Sequence, residues 1–276
     1  MRTIKLIGRD IKYGIIKRWY VFLLPVVFSL SQVWRCHELV ANSGYLENEH
    51  TTGTVMDYIL YSVQGMEVYV FSPRNYFIIP IYWFVFQMGV AYMAAYYTYD
   101  DLALNGRSIF LAVKDRKSWW SAKCCWCICQ TMMYYLVAFV FIIVSAVEFG
   151  AELTCKITRN FIETTFGINA CSLSGQDLIL TALILPFMIT LAITMVQILF
   201  SMIINPVMSF AFVCAIYVVS AYYTRWYFLG NYTMWVRSSY VTDKGVYPVG
   251  GIVISIALFT VSLIAGYMYI DNKDVI

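Results

Sequence analysis

Thiols and imidazoles are the side chains here best suited to chemistry, and their spacing limits what that chemistry could be. Four of the eight cysteines fall in the run CCWCIC, at Cys124, Cys125, Cys127 and Cys129. Cys124 and Cys127 have the C-x-x-C separation of redox and metal-binding pairs. They also open an uncharged stretch, where a thiol acts as a small buried hydrophobe. A membrane-embedded thiol redox enzyme stays open as an alternative, and it would need these thiols exposed and thiolate-prone. The two histidines, His37 and His50, flank one polar stretch. Such loop imidazoles are normally solvated, and no metal site is expected. Cys155 and Cys171 lie in another polar stretch and would pair if it faces an oxidising exterior.

Other chemistry is excluded by missing motifs. The chain has no G-x-x-x-x-G-K-[ST] phosphate loop, no H-E-x-x-H and no G-x-S-x-G. ATP hydrolysis, zinc proteolysis and serine hydrolysis therefore have no seat on it. Asn231-Tyr232-Thr233 matches a glycosylation tripeptide, a pattern frequent by chance, and carries no weight.

The elements that must position any site are membrane helices. Hydrophobic residues make up 61% of the 276 residues and charged residues 13%, against roughly 45–50% and about 25% in soluble domains. Crossing the hydrocarbon takes about 20 apolar residues. Charge-free stretches at 19–34, 75–99, 124–147, 178–224 and 246–270 meet that need, the first only with help from its flanks. Residues 178–224 would measure about 70 Å as one helix, too long for one crossing. Asn205-Pro206 is the natural turn, because proline lacks an N–H and disfavours helix before it. The expected fold is all-α: a polytopic membrane protein with six transmembrane helices and a single domain over 1–276.

Residues 1–18 carry six lysines or arginines and one acid. On a helix, Ile4, Ile7, Ile11 and Ile15 share one face and Lys5, Arg9 and Lys12 the other, the pattern of an interfacial helix. With this segment in the cytoplasm, the inner side carries twelve basic residues and the outer seven. Both termini are therefore placed on the cytoplasmic side. Arg225, Arg237 and Lys244 face outward against that rule. The net charge of +3 gives no reason to expect nucleic acid. The spans carry no charge, so proton- or ion-coupled carriage is disfavoured. Energy would have to come from a partner.

A partner could act between residues 100 and 123. Asp100-Asp101 follows the aromatic end of the second span, and Asn105-Gly106 is a turn signal expected to end the helix. A short helix over 107–113 would follow, then Lys114-Asp115-Arg116-Lys117 and a Ser118-Trp119-Trp120 opening to the third span. The run YYTYDDLALNGRSIFLAVKDRKSWWSAK, the later LGNYTMWVRSS and the ending YIDNKDVI resemble permease subunits of ABC type 2 exporters from Gram-positive bacteria, including those that export phenol-soluble modulins.

That resemblance implies an interfacial connecting helix at 1–18 and a cytoplasmic coupling element within 101–117. It implies a separate ATPase subunit, holding ATP and Mg, that docks on Asp101, Arg107, Lys114, Arg116 and Lys117. It further implies a second permease copy or a related permease as dimer partner, and short outer helices over 226–239 dipping partly into the membrane. No cofactor is expected on this chain. Antimicrobial or toxin peptides would be the cargo, and an uncharged pathway past Tyr82, Phe86 and Met93 would suit amphipathic solutes. A channel or scaffold is the other alternative. The first outer loop, 35–74, departs from the pattern, and its apolar 57–71 stretch is expected to be partly structured.

Overall fold

Helix boundaries fall where the chain supplies caps. The computed structural model describes residues 2–42, 53–73, 76–113, 116–167 and 174–272. Ten α-helices occur among them: α1 (Arg2–Asp10), α2 (Leu23–Asn42), α3 (Val55–Ser62), α4 (Ile81–Val113), α5 (Arg116–Glu148), α6 (Arg159–Phe166), α7 (Gly175–Ile179), α8 (Leu185–Ile203), α9 (Pro206–Tyr222) and α10 (Pro248–Asn272). The described residues contain two isolated β-bridges and no strand. Thr54 and Asp57 form a reciprocal capping box that starts α3, and Ser174 accepts from the Asp177 N–H to start α7. The turn expected at Asn205-Pro206 is present. Asn205 accepts from the Met208 N–H at 2.7 Å, and Pro206 opens α9.

Four helical stretches are long and apolar enough to cross a membrane: Thr3–Ala41, Arg116–Glu148, Gly175–Ile203 and Pro248–Asn272. Pro206–Tyr222 is a shorter apolar helix. The outward face of α10 bears Val249, Val253, Ile256, Val261, Ile264 and Met268, all more than half exposed. Such an apolar surface belongs in lipid, and the protein is a membrane protein.

The ends of the helices sort into two groups. The C-terminal ends of α8 and α10 and the start of α5 lie together: the Tyr269 hydroxyl donates to the Met202 carbonyl at 2.8 Å, and Arg116 donates to the Asp271 carbonyl at 3.0 Å. α1 joins them there by packing along α5. We call this the hub end. At the opposite, cap end, α3, α6 and a short 3₁₀ turn, Trp235–Arg237, pack against α2 and α5, and a second 3₁₀ turn, Leu229–Thr233, packs on α8 and α9. The Trp235 indole donates to the Leu60 carbonyl at 2.7 Å across this cap. Glycine is required where α10 meets α5. A Cβ at Gly266 would collide with the Trp120 ring, whose indole donates to the Leu263 carbonyl at 2.9 Å.

Two local expectations are corrected, at Asn105-Gly106 and at Cys36. Asn105-Gly106 does not end a helix: α4 runs unbroken from Ile81 to Val113, and no separate helix forms over 107–113. A turn signal is a weak local preference, and about 0.5–1 kcal/mol for an internal glycine is easily outweighed along 33 helical residues. The buried face of the N-terminal segment carries Leu6, Asp10, Gly14 and Ile15, with Ile7 and Ile11 packed partly against the same core, while Ile4 is 72% exposed. A π-turn (Ile11–Ile15) and a 3₁₀ segment (Ile16–Phe22), kinked at Arg18, connect α1 to α2. Cys36 is likewise helical and fully buried rather than in a loop. The helix runs on past Trp34, whose indole donates to Glu38 one turn later at 2.8 Å. The expectation of structure after residue 57 is met by α3.

Candidate functional site

Asp10 is the lone acid of the basic N-terminal segment, and α1 turns it into the bundle. There it meets Lys123, about two turns inside α5, with both side chains wholly buried and the ammonium 2.9 Å from Oδ1. The same ammonium lies 2.7 Å from Asp101 Oδ2 on α4. Arg9 completes the ring at 2.7 Å from Asp101 and 3.2 Å from Asp10. The Tyr97 hydroxyl donates to Asp10 at 2.9 Å, and the Trp119 indole to Asp101 at 3.2 Å. Lys123 also sits 4.5 Å from the Tyr97 ring centroid, a cation–π distance.

Two cations and two anions thus form a closed, neutral joint between α1, α4 and α5. Charges so deeply buried persist only when paired. Nearer the surface the joint is extended by Arg18 with Asp100 at 3.6 Å and Thr3 with Ser118 at 3.3 Å.

The residues expected to meet an ATPase fall into three groups. Asp101 is spent internally, on Lys123, Arg9 and Trp119. Arg116 and Lys117 tie the start of α5 to the end of α10, through the Ile270 and Asp271 carbonyls and the Asp271 carboxylate. Cations at a helix C-terminus complement its dipole. Arg107 lies on the last turns of α4, and Lys114 lies outside the described residues.

The expected pathway residues do not share a surface. Phe86 and Met93 are buried, and Phe86 packs on Phe28 and Tyr134 at 4.6 and 5.0 Å between ring centroids. Tyr82 faces outward beside α2. The polar interior lies instead on Gln87, where α4, α5, α8 and α9 converge. Its Oε1 accepts from Thr190 at 2.9 Å and Tyr217 at 3.2 Å, while Thr190 and Tyr135 share a 2.7 Å hydrogen bond. Gln130 and Gln197 donate to consecutive α4 carbonyls, of Val90 and Ala91. Such uncharged polar contacts hold membrane helices together. Glutamines inside apolar spans were the sequence signal for this layer.

The thiols give no cluster. Cys124 and Cys127 are buried among Trp119, Trp120 and Trp126, and no group of metal-ligating side chains occurs among the described residues. Cys155 is exposed; Cys171 and His50 lie outside the described residues. His37 stacks on Phe149 at 4.4 Å.

At the cap end, Arg237 is fully buried and saturates its donors on main-chain and amide oxygens. It reaches the carbonyls of Met66, Glu67, Ser220 and Ala221 and the Asn231 side chain, at 2.6–3.0 Å. Burial pushes its pKa down to about 10, so it stays charged at neutral pH. It thereby holds residues 229–237 against the last carbonyls of α9. Asn231 is committed to this network and to the carbonyls of Tyr223 and Arg225, so its tripeptide is no glycan acceptor. Asp57 mirrors the arrangement with opposite sign, accepting from the Thr54 and Thr158 N–H groups at 3.0 Å each.

Comparisons of the chain with family models, with curated proteins and with solved structures return no match.

Proposed function

We propose that this protein is the membrane-embedded half of an ATP-driven exporter, with six spans formed by α2, α4, α5, α8, α9 and α10 and both termini cytoplasmic. The hub end is then the inner face, and the cap end the outer. A separate ATPase, carrying ATP and Mg, docks on the tip between α4 and α5 around Arg107 and Lys114. A second permease copy or a related one completes the pathway, and amphipathic antimicrobial or toxin peptides are the cargo.

The observation that carries this reading is the buried joint of Arg9, Asp10, Asp101 and Lys123. It lies at the base of the α4–α5 tip, where a push from a docked subunit would enter the bundle. It also couples that tip to α1, so that a displacement of the tip is passed on to the interfacial helix. Rigid-body shear of α4 and α5 against α1, with the ion pairs re-forming as they slide, is the kind of motion that alternates access. The uncharged spans and missing nucleotide loop agree with energy delivered from outside the chain. α4, at about 50 Å for its 33 residues, is long enough both to cross and to project.

Purification in mild detergent from the native host tests this. A nucleotide-binding subunit at equal stoichiometry is expected, lost on joint charge reversal of Arg107 and Lys114. ATP hydrolysis by the isolated chain, or peptide flux undiminished without any ATPase, would refute the reading.

A further inference from the structure

We propose that the groove between α2 and α4 near the cap end is a binding site for one anionic phospholipid, with an acyl chain in the groove and the phosphate on Arg35. Its cavity, about 450 Å³, is lined by Leu24, Val27, Phe28 and Ser31 of α2 and by Tyr82 and Val85 of α4. Val27, Tyr82 and Val85 are 65%, 41% and 43% exposed, so the groove opens sideways to the bilayer. Its floor is firm, because Phe28 is buried and stacks on Phe86.

Charge decides the occupant. Arg35 follows Ser31 by one helical turn, on the same face of α2, and its guanidinium lies 4.8 Å from the Tyr82 ring centroid. The cation therefore stands at the cap-end mouth of the groove. Tyr61 hydrogen-bonds it, and among the described residues no carboxylate forms an ion pair with it. A guanidinium held by aromatic groups keeps donors in the fork that suits a phosphate.

Length fits as well. From Leu23 to Ser31 the α2 wall rises about 12 Å, within the roughly 15 Å of hydrocarbon that one leaflet provides. A phosphate beyond Ser31 would lie level with Arg35. A bare apolar solute would leave the cation unused, and a second copy's apolar helix would bury it unpaired. The inference requires only that the chain is embedded in a bilayer, not that it is a permease.

Native mass spectrometry of the delipidated protein, titrated separately with phosphatidylglycerol and phosphatidylcholine, tests it. One phosphatidylglycerol per chain is expected, bound about tenfold more tightly than phosphatidylcholine. Arg35→Gln should erase that preference and Arg35→Lys keep part of it. Val27→Trp, or Ser31→Phe should the first fold poorly, should lower occupancy by both lipids. An unchanged preference in Arg35→Gln, or full occupancy in a folded groove-filled variant, would overturn the site. So would a Val27→Cys chain that forms disulfide-linked dimers in the bilayer, which would place a second copy in the groove.

Discussion

The two ends of the bundle bury charge in different ways. At the hub end, Arg9 and Lys123 face Asp10 and Asp101, charge against charge, contributed by three helices far apart in sequence. At the cap end, Arg237 and Asp57 have no opposite charge as partner among the described residues and rest on main-chain and amide groups. An ion-pair ring can exchange partners, since Asp10 Oδ1 and Asp101 Oδ2 each already accept from both cations. A guanidinium wedged among fixed carbonyls has one arrangement only. The hub end is thus built to tolerate relative movement of α1, α4 and α5, and the cap end to resist it.

The largest effect should come from opening the ring. Lys123→Met leaves Asp10 buried, with the exposed rim of Arg9 as its remaining cation, and should cost about 3–5 kcal/mol. Thermal unfolding in detergent would show a large drop in midpoint. Adding Asp10→Asn should recover much of the loss, because the orphaned charge is then gone. Equal midpoints for the single and double variants would show that the pair is not coupled.

Arg237→Lys should come next, at about 2 kcal/mol. An ammonium offers three donors from one point where five are spread over a planar fork, so carbonyls are left unsatisfied. Limited proteolysis should report it as faster cleavage within 226–239. A wild-type cleavage rate would mean that the cap does not depend on the guanidinium.

Much of this architecture was legible in the sequence, and the unread parts share a cause. Charge-free stretches located the apolar helices, and Asn205-Pro206 marked the turn between two of them, since both signals follow from backbone hydrogen bonding in a low-dielectric medium. Arg237 stood out by breaking the charge rule, though as a residue flanking a re-entrant segment. Its five acceptors come from three chain segments, and no local pattern brings them together. Asp10 was visible as a lone acid, and Lys123 as a cation at the start of a span. That they meet depends on how α1 lies on α5. Asn105-Gly106 misled because a local preference was overruled by helix continuity.

Acid should affect the cap in an unusual direction. Burial raises the Asp57 pKa, an effect only partly offset by the hydrogen bonds from Thr158 and Thr54. The folded chain then holds that proton more tightly than the unfolded chain, whose carboxyl titrates near about 3.9. Stability contributed by Asp57 therefore rises as pH falls through the raised value, and is lost as pH climbs back through it. Hydrogen-exchange protection over Val55–Ser62, measured relative to the intrinsic rate at each pH, should rise from neutral to mildly acidic pH, and Asp57→Asn should flatten that slope. Protection that falls in acid, and does not do so in the variant, would mean that the carboxylate, not the acid, is the form the cap prefers.

The smallest effect separates pairing from burial. Lys117 and Asp271 are the same chemical pair as Lys123 and Asp10, at 3.4 Å, but with side chains 64% and 51% exposed. Water screens such a pair and side-chain entropy opposes it, so Lys117→Ala should shift stability by no more than about 0.5 kcal/mol. At about 1 M salt, where the screening length is near 3 Å, even that should vanish. Lys123→Met should keep most of its effect under the same salt, because no counter-ion reaches a wholly buried ammonium. If salt reduced the two losses alike, the hub would be open to water, and the contrast between an exchangeable hub joint and a fixed cap would fail.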